Sequence, residues 1–284
     1  MKNTIETFSA LGARLLGFGD DDATRAVIDS ACRANGWQHG ILGGGLHACD
    51  MLQREKLEAW LADYPALPVA EPRRVLVVMA GNIPLVGFFD LLCVLVSGHG
   101  CLVKPSAKDS VLMEHVVGLL REIDPSAPVR LYDGTSPVDA VIATGSDNAN
   151  RYFRAHYAGI PSLLRGSRQS VAVLSGRETP EQLAGLADDI WAYSGLGCRS
   201  VSLIFAPEGY EPALQIPPVN DKYINNYRQQ RALLEMQGRP FVDLGCAVAV
   251  EQCAFPAALS RIAYAHYATL DEVAAWLAGH DGYF

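Results

Sequence analysis

The chain has 284 residues, of which 50% are hydrophobic and 19% charged, with a formal net charge of −8. This suits a globular enzyme of one large or two medium domains, and the acidic balance, with no Lys/Arg run, argues against nucleic acid as a partner. The start is polar rather than signal-like, and the longest apolar run, Ile83 to Val96, carries Asp90 and is too short for a bilayer. A cytoplasmic protein without a membrane span is expected. The seven cysteines form no Cys-x-x-Cys pair and are odd in number, so neither zinc nor a disulfide framework is expected.

Residues 4–62 read as helical, with breaks at Gly17 to Asp22 and Gly36 to Gly45. Gly43-Gly44-Gly45 has no preceding strand and no GxGxxG, so it reads as a connection rather than a phosphate loop. Pro65 to Pro72 is a proline-rich linker. The pattern then changes. Val75 to Met79 is a short buried strand, Gly81-Asn82-Ile83-Pro84 a turn, Leu85 to Val96 an apolar helix and Cys101 to Val103 a second strand. Ser106-Ala107-Lys108-Asp109 reads as a capping-box variant opening a helix to about Ile123. Strands at Val129 to Tyr132 and Ala140 to Ala143 follow, then Thr144-Gly145-Ser146 and a helix, Asn148 to Tyr157. This rhythm predicts a doubly wound parallel sheet.

Beyond Gly159-Ile160-Pro161, Val171 to Leu174 is a strand. Thr179-Pro180-Glu181-Gln182 is a helix start with a capping Thr, a Pro at the first position and a Gln to bond back. That helix leads into Tyr193-Ser194-Gly195-Leu196-Gly197-Cys198-Arg199-Ser200, and an apolar strand, Val201 to Ala206, follows. A helix from about Asn220 to Gln237, an apolar run at Ala247 to Val250 and a final helix, Leu270 to Gly279, complete the chain.

Four places bear chemistry. Cys198, on a glycine turn with Arg199 beside it, is a candidate nucleophile, although most free cysteines are core residues. Lys104 ends the second strand, where a cation suits a ribose 2′-phosphate; the plainer reading is a solvated lysine. Gly145 and Ser146 follow a strand tip and suit a pyrophosphate; an ordinary helix cap is the alternative. The Asn82 amide can donate to an oxyanion, and turn chemistry explains it as well.

Together these segments resemble the aldehyde dehydrogenase superfamily, and most closely the fatty acyl-CoA reductases of the bacterial bioluminescence type. Gly81-Asn82-Ile83-Pro84-Leu85 looks like that family's Gly-Asn-x-Pro-Leu segment. Leu102-Val103-Lys104-Pro105-Ser106 looks like its Val-Lys-Pro-Ser strand end. Ala143-Thr144-Gly145-Ser146 resembles the superfamily's Phe-Thr-Gly-Ser turn, and Gly195-Leu196-Gly197-Cys198 its Gly-x-x-Cys turn. The resemblance implies an α/β, aldehyde-dehydrogenase-like fold. Its expected parts are an N-terminal helical segment and linker (1–72), an NAD(P)-binding domain (73–160) and a catalytic domain (161–284). Tyr267 to Val273 resembles the segment after the catalytic strand. By analogy more chain should follow, so a shortened member or a truncated chain is expected.

The roles implied are Cys198 as nucleophile, with Asn82 and the Cys198 backbone N–H as oxyanion hole. Lys104 and Ser106 would lie along the adenosine ribose, and Gly145 and Ser146 by the pyrophosphate. Glu251, beside Gln252 and shortly before Pro256, would hold the nicotinamide ribose. Two departures refine this. Ala107 stands where NAD-binding relatives place a Glu, which favours NADPH over NADH. Residues 162–170 correspond to the Glu-Leu-Gly-Gly segment of hydrolytic relatives and contain no acid, so a base to activate water is missing. The reading is NADPH-dependent reduction of an acyl thioester, such as acyl-CoA, to an aldehyde. Arg165 and Arg168 are candidates for carrier phosphates, against a solvated-surface reading. An acyl-transferase or acyl-activating partner protein and a homo-oligomer are further expectations. The alternatives are oxidation of an aldehyde to an acid, a cofactor-free acyltransferase, and a non-catalytic truncated homologue.

Overall fold

A computed structural model describes residues 2–35, 37 and 48–283. The Gly43-Gly44-Gly45 connection lies outside them. The chain forms two compact units, Met1–Gly166 and Ser167–Phe284.

In the first unit, α1 (Lys2–Leu16), α2 (Asp22–Asn35) and α3 (Arg54–Ala62) precede a five-stranded sheet. Its strands are β1 (Arg74–Val78), β2 (Gly100–Lys104), β3 (Val129–Leu131), β4 (Ala140–Thr144) and β5 (Ser162–Arg165). The order is β3-β2-β1-β4-β5, and every pairing is parallel. Helix α4 (Phe88–Val96) connects β1 to β2, α5 (Ser110–Ile123) connects β2 to β3, and α6 (Asp147–His156) connects β4 to β5. The near-continuous apolar run in β1 follows from burial on both faces. Val75 and Val77 pack with Phe8, Leu11, Leu91 and Met113, while Leu76 and Val78 pack with Val141, Ala143 and Phe153.

The second unit has its own sheet: β6 (Ser170–Val173), β7 (Val201–Pro207), β8 (Val242–Asp243), β9 (Val248–Glu251) and β10 (Arg261–Tyr267). The order is β6-β7-β10-β9-β8, with only the β8–β9 pairing antiparallel. Helices α7 (Pro180–Trp191), α8 (Asp221–Met236) and α9 (Leu270–Gly279) accompany it. The Thr179–Gln182 capping box that opens α7 forms in full.

Two helix starts differ from the sequence reading. Helix α4 begins at Phe88 rather than Leu85, because Leu85 takes a left-handed conformation with φ 52°. Helix α5 begins at Ser110 rather than after Ser106, and no capping box forms there. The Ser106 hydroxyl instead accepts from the Lys108 N–H at 3.3 Å. Both differences meet at Asp109, the N-cap residue of α5, whose side chain caps nothing in its own helix. One carboxylate oxygen accepts the Leu85 N–H at 2.8 Å, and the other is buried without a partner.

Arg165, at the end of β5, reaches both carboxylate oxygens of Asp90 in α4 at 2.7 Å. Asp90 is 9% exposed, so removing the guanidinium leaves a nearly buried acid unpaired. Arg165→Met should lower stability by roughly 1–3 kcal/mol, because the arginine end stays half in solvent. Urea denaturation of Arg165→Met, Asp90→Asn and the double variant checks this: the double variant should lose less than the sum.

Burial pushes the Asp109 carboxyl from 3.8 up to about 7, partly offset by the Leu85 N–H. Its folded pKa is raised, so the folded state binds the proton more tightly than the unfolded one. The stability this contributes is full below pH 3.8 and is lost as pH rises through about 7. Asp109→Asn keeps an acceptor for Leu85 and removes the titration. Its Tm relative to the unmodified protein should therefore rise from pH 5 to pH 8; a constant difference across that window would contradict the assignment.

Candidate functional site

Parallel pairing brings several turns to one edge of the first sheet. Val78 is level with Lys104 on one side and with Ala143 on the other. Chain order reverses between β1 and β4, with β2 and β3 to one side and β5 to the other. Ligands of open α/β sheets bind at the carboxyl ends of strands at such a reversal. Asn82 follows β1, Lys104 ends β2 with Ser106 just after it, and Gly145 and Ser146 follow β4. The fold thus gathers these five candidates on one edge. Asn82, Lys104 and Ser146 are exposed and Ser106 is half-buried.

The turns are tied together. The Met79 N–H donates to the Lys104 carbonyl at 3.0 Å, and the Asp109 N–H to the Ser106 carbonyl at 2.9 Å. A Cβ on Gly81 would lie 2.6 Å from the Ser106 side chain, so only glycine allows this approach. Beyond β4, the Gly145 N–H donates to the Arg165 carbonyl at 3.1 Å, and the Ser146 hydroxyl accepts from the Ala149 N–H at 3.4 Å to cap α6. The partial positive charge of that helix start favours an anion, but Asp147 puts a carboxylate in the same turn. An anion here needs a cation besides, and Lys104 and Lys108 are both exposed.

Cys198 belongs to the second unit. It lies on the turn before β7, at the edge where the parallel strands begin, and is exposed. Its carbonyl accepts from the Ser170 hydroxyl at 3.1 Å. Helix α7 ends at Trp191, and the chain then makes a tight turn in which Tyr193, Ser194 and Gly195 have φ 52°, 54° and 66°. For Tyr193 and Ser194 this costs about 1–2 kcal/mol each. A buried relay holds the turn. Ser194 Oγ accepts from the Asn220 N–H at 3.4 Å, Asn220 Oδ1 accepts from the Tyr223 N–H at 2.8 Å, and the Tyr223 carbonyl accepts from Ser260 Oγ at 2.7 Å. A cavity of about 240 Å³ beside the turn is lined by Gly195, Ser200, Ser202, Tyr223, Leu259 and Arg261.

The other described free cysteines are Cys32, Cys93, Cys101, Cys246 and Cys253. Burial pushes Cys101 up to about 12 and Cys246 up to about 11, and it raises Cys32 and Cys93 as well. Cys253 is exposed, in the loop after β9, yet desolvation raises it too.

Glu251 is not brought to Cys198. Tyr264 pairs with both Ile204 and Glu251, so Glu251 is level with the middle of β7, roughly 10 Å along the strand from its start. Arg165 is exposed, as the solvated-surface reading expects, but its guanidinium is engaged by Asp90 rather than left open to a phosphate. Arg168 is exposed. Sequence reasoning missed Asp90 and Asp109 as organising groups. A lone acid within the apolar run 83–96 was the signal for Asp90. Nothing in the sequence shows that Asp109 turns away from its own helix. Among the described residues no group of His, Cys, Asp and Glu is placed to hold a metal ion, and no helix is long and apolar enough to cross a membrane.

The acyl-CoA reductase (LuxC) family model matches residues 49–215, more than half of the chain. A long-chain acyl-protein thioester reductase of Vibrio harveyi is 28% identical over 174 residues, covering 54% of this chain and 36% of the relative. Long-chain acyl-protein thioester reductase 2 of Photobacterium leiognathi is 24% identical over 175 residues, covering 55% and 37%. The match thus spans little more than a third of the length of these curated relatives. Among solved structures, a Mycobacterium tuberculosis aldehyde dehydrogenase complexed with NAD+ aligns with TM-score 0.69 at 16% identity, over 96% of this chain and 70% of that one. The Cys-to-Ala mutant of aldehyde dehydrogenase C from Pseudomonas syringae, complexed with NAD+ and octanal, aligns with TM-score 0.70 at 12% identity, over 96% and 68%. On an aldehyde-dehydrogenase fold, with its motif turns in order along the matched stretch, this chain belongs to the acyl-CoA reductase (LuxC) family.

Proposed function

We propose that this chain carries the chemistry of an NADPH-dependent reductase that converts an acyl thioester, acyl-CoA or acyl-protein, to an aldehyde through an acyl-enzyme on Cys198. The observation that carries the reading is an exposed thiol at the head of a mostly parallel sheet, three residues after a left-handed turn, in a chain with no acid over residues 162–170. The curated relatives named as long-chain acyl-protein thioester reductases support a long acyl chain.

The residues present fit NADPH. Lys104 and Lys108 are exposed beyond β2, and Ala107 places no carboxylate between them to repel a 2′-phosphate. Gly145 leaves the start of α6 bare; a Cβ there would crowd Ala149 at 3.0 Å. In this reading residues 73–160 bind the cofactor and 161–284 bear the nucleophile, after the helical segment 1–72. Lys104 and Ser106 lie along the adenosine ribose, and Gly145 and Ser146 by the pyrophosphate. Glu251, level with the middle of β7, would hold the nicotinamide ribose.

The Cys198 thiolate attacks the thioester carbonyl. A bond forms between its sulfur and the acyl carbon, and the bond from that carbon to the carrier sulfur breaks. The Asn82 amide donates to the oxygen that becomes negative, and the carrier leaves as a thiolate that takes a proton from water. NADPH, when bound, supplies the hydride that reduces the acyl-enzyme. Collapse of the resulting hemithioacetal releases the aldehyde and returns the Cys198 thiolate. With no carboxylate at 162–170 to activate water, hydrolysis of the acyl-enzyme competes poorly.

Cys198→Ala should abolish both the acyl adduct seen by intact mass and NADPH oxidation at 340 nm with a panel of acyl-CoAs; turnover in that variant would overturn the reading. Acid formed from aldehyde and NAD(P) would instead favour aldehyde oxidation. Lys104→Ala should weaken NADPH at least about tenfold more than NADH, on the order of 1–2 kcal/mol for a lost charged contact. Equal losses by fluorescence titration would remove the 2′-phosphate contact.

A further inference from the structure

Asp109 is 1% exposed, and a buried carboxyl is kept at a cost unless something uses it. It stands at the N-cap of α5, where an Asp ordinarily accepts an N–H of its own helix. It does not. Its Oδ2 instead reaches 24 residues back to the Leu85 N–H at 2.8 Å, and its Oδ1 is buried without a partner. Leu85 ends the Gly81–Leu85 turn in a left-handed conformation that leucine rarely adopts. The Asp109 N–H also holds the Ser106 carbonyl at 2.9 Å, and Ser106 packs on Gly81. One residue therefore fixes both ends of the turn that carries Asn82: its start through Ser106 and Gly81, and its end through Leu85.

We infer that Asp109 is a positioning residue, which locks the Gly81–Leu85 turn so that the Asn82 amide is already placed for the oxyanion, and which joins that turn to the Lys104–Ser106 strand end. The inference rests on the oxyanion role proposed for Asn82. Catalysis by a fixed donor depends on its being in place before charge develops; losing one such donor costs about 10²–10³ in rate, and a misplacement near 1 Å about 10².

Asp109→Ser separates the two roles. Serine is a good N-cap, so α5 keeps its start, while its hydroxyl is one bond short of Leu85. In the full chain, two rates and one KM are compared for the unmodified protein, Asn82→Ala, Asp109→Ser, Asp109→Asn and the Asn82→Ala/Asp109→Ser double variant. They are acylation of Cys198 by a long-chain acyl-CoA at saturation, its KM, and alkylation of Cys198 by iodoacetamide, which needs no oxyanion donor. Asp109→Ser should slow acylation about 10- to 100-fold, with KM and alkylation within about twofold. Asp109→Asn, which retains an acceptor, should recover acylation to within about threefold, and the double variant should be no slower than Asn82→Ala alone. Normal acylation in Asp109→Ser while Asn82→Ala is slow overturns the inference and leaves the Asn82 role standing, as does full additivity in the double variant. Normal acylation in Asn82→Ala removes the Asn82 role and this inference with it. Should Asp109→Ser not fold, exchange of the Leu85 amide decides: slow in the unmodified protein and in Asp109→Asn supports the lock, and fast in the unmodified protein overturns it.

Discussion

The first unit depends on β1 being paired in parallel on both sides. Its residues are apolar on both faces because helices cover both, so it can only be an interior strand. Parallel pairing to β2 and β4 aligns the carboxyl ends of all three, since parallel strands joined by helical crossovers all run the same way. The turns after β1, β2 and β4 therefore emerge side by side, whatever their sequence separation. The polar residues at those ends, Asn82, Lys104, Ser106 and Ser146, sit where the buried strands stop and side chains can reach solvent.

Strand alignment brings the turns near one another but does not fix their shape. That falls to polar groups displaced from their ordinary tasks. Asp109 leaves its own helix uncapped to hold Leu85, and Arg165 uses its carbonyl on Gly145 and its guanidinium on Asp90. Arg165 thereby links the turn after β4 to the helix that follows the Asn82 turn. The Asp109 arrangement is not what stability alone would select. An uncapped helix forgoes about 1 kcal/mol, and a partnerless buried oxygen costs more. Departures of this kind concentrate where a backbone must be held in one shape, because packing is non-directional and hydrogen bonds are not.

Much of this was legible in the sequence where the signal is local. Apolar runs of strand length, the Thr179–Gln182 capping box and the glycine turns each depend on a few neighbouring residues, and the structure follows them. Legibility failed where a distant partner decides. Leu85 reads as a helix former until Asp109, 24 residues on, holds it out of the helix. Ser106 reads as a cap until its hydroxyl is taken by Lys108. Ser162–Arg165 lacks strand periodicity because it is an edge strand with three of its four residues exposed, so only its pairing to β4 defines it. Arg165 is exposed as its sequence suggests, but nothing in the sequence ties its guanidinium to Asp90. Local propensity is a weak prior, and tertiary contacts override it at such places.

The second unit solves the same problem differently. Its sheet is parallel except at the β8 edge, yet Cys198 lies where β7 begins rather than where it ends. At that edge no alignment of strand ends presents the residue; the exit of α7 does. Three successive left-handed residues reverse the chain between Trp191 and Leu196, and two of them have a Cβ that resists that shape. Helix α7 is held at its start by a full capping box and at its end by buried Ile190 and Trp191, so it cannot unwind to relieve the turn. The Ser194–Asn220–Tyr223–Ser260 relay anchors the turn to the start of α8 and to the loop before β10. Three segments far apart in sequence thus converge on the residues just before Cys198. The strained residues are held by these hydrogen bonds and by buried neighbours, while the thiol a few residues on is exposed and its carbonyl is tied to Ser170.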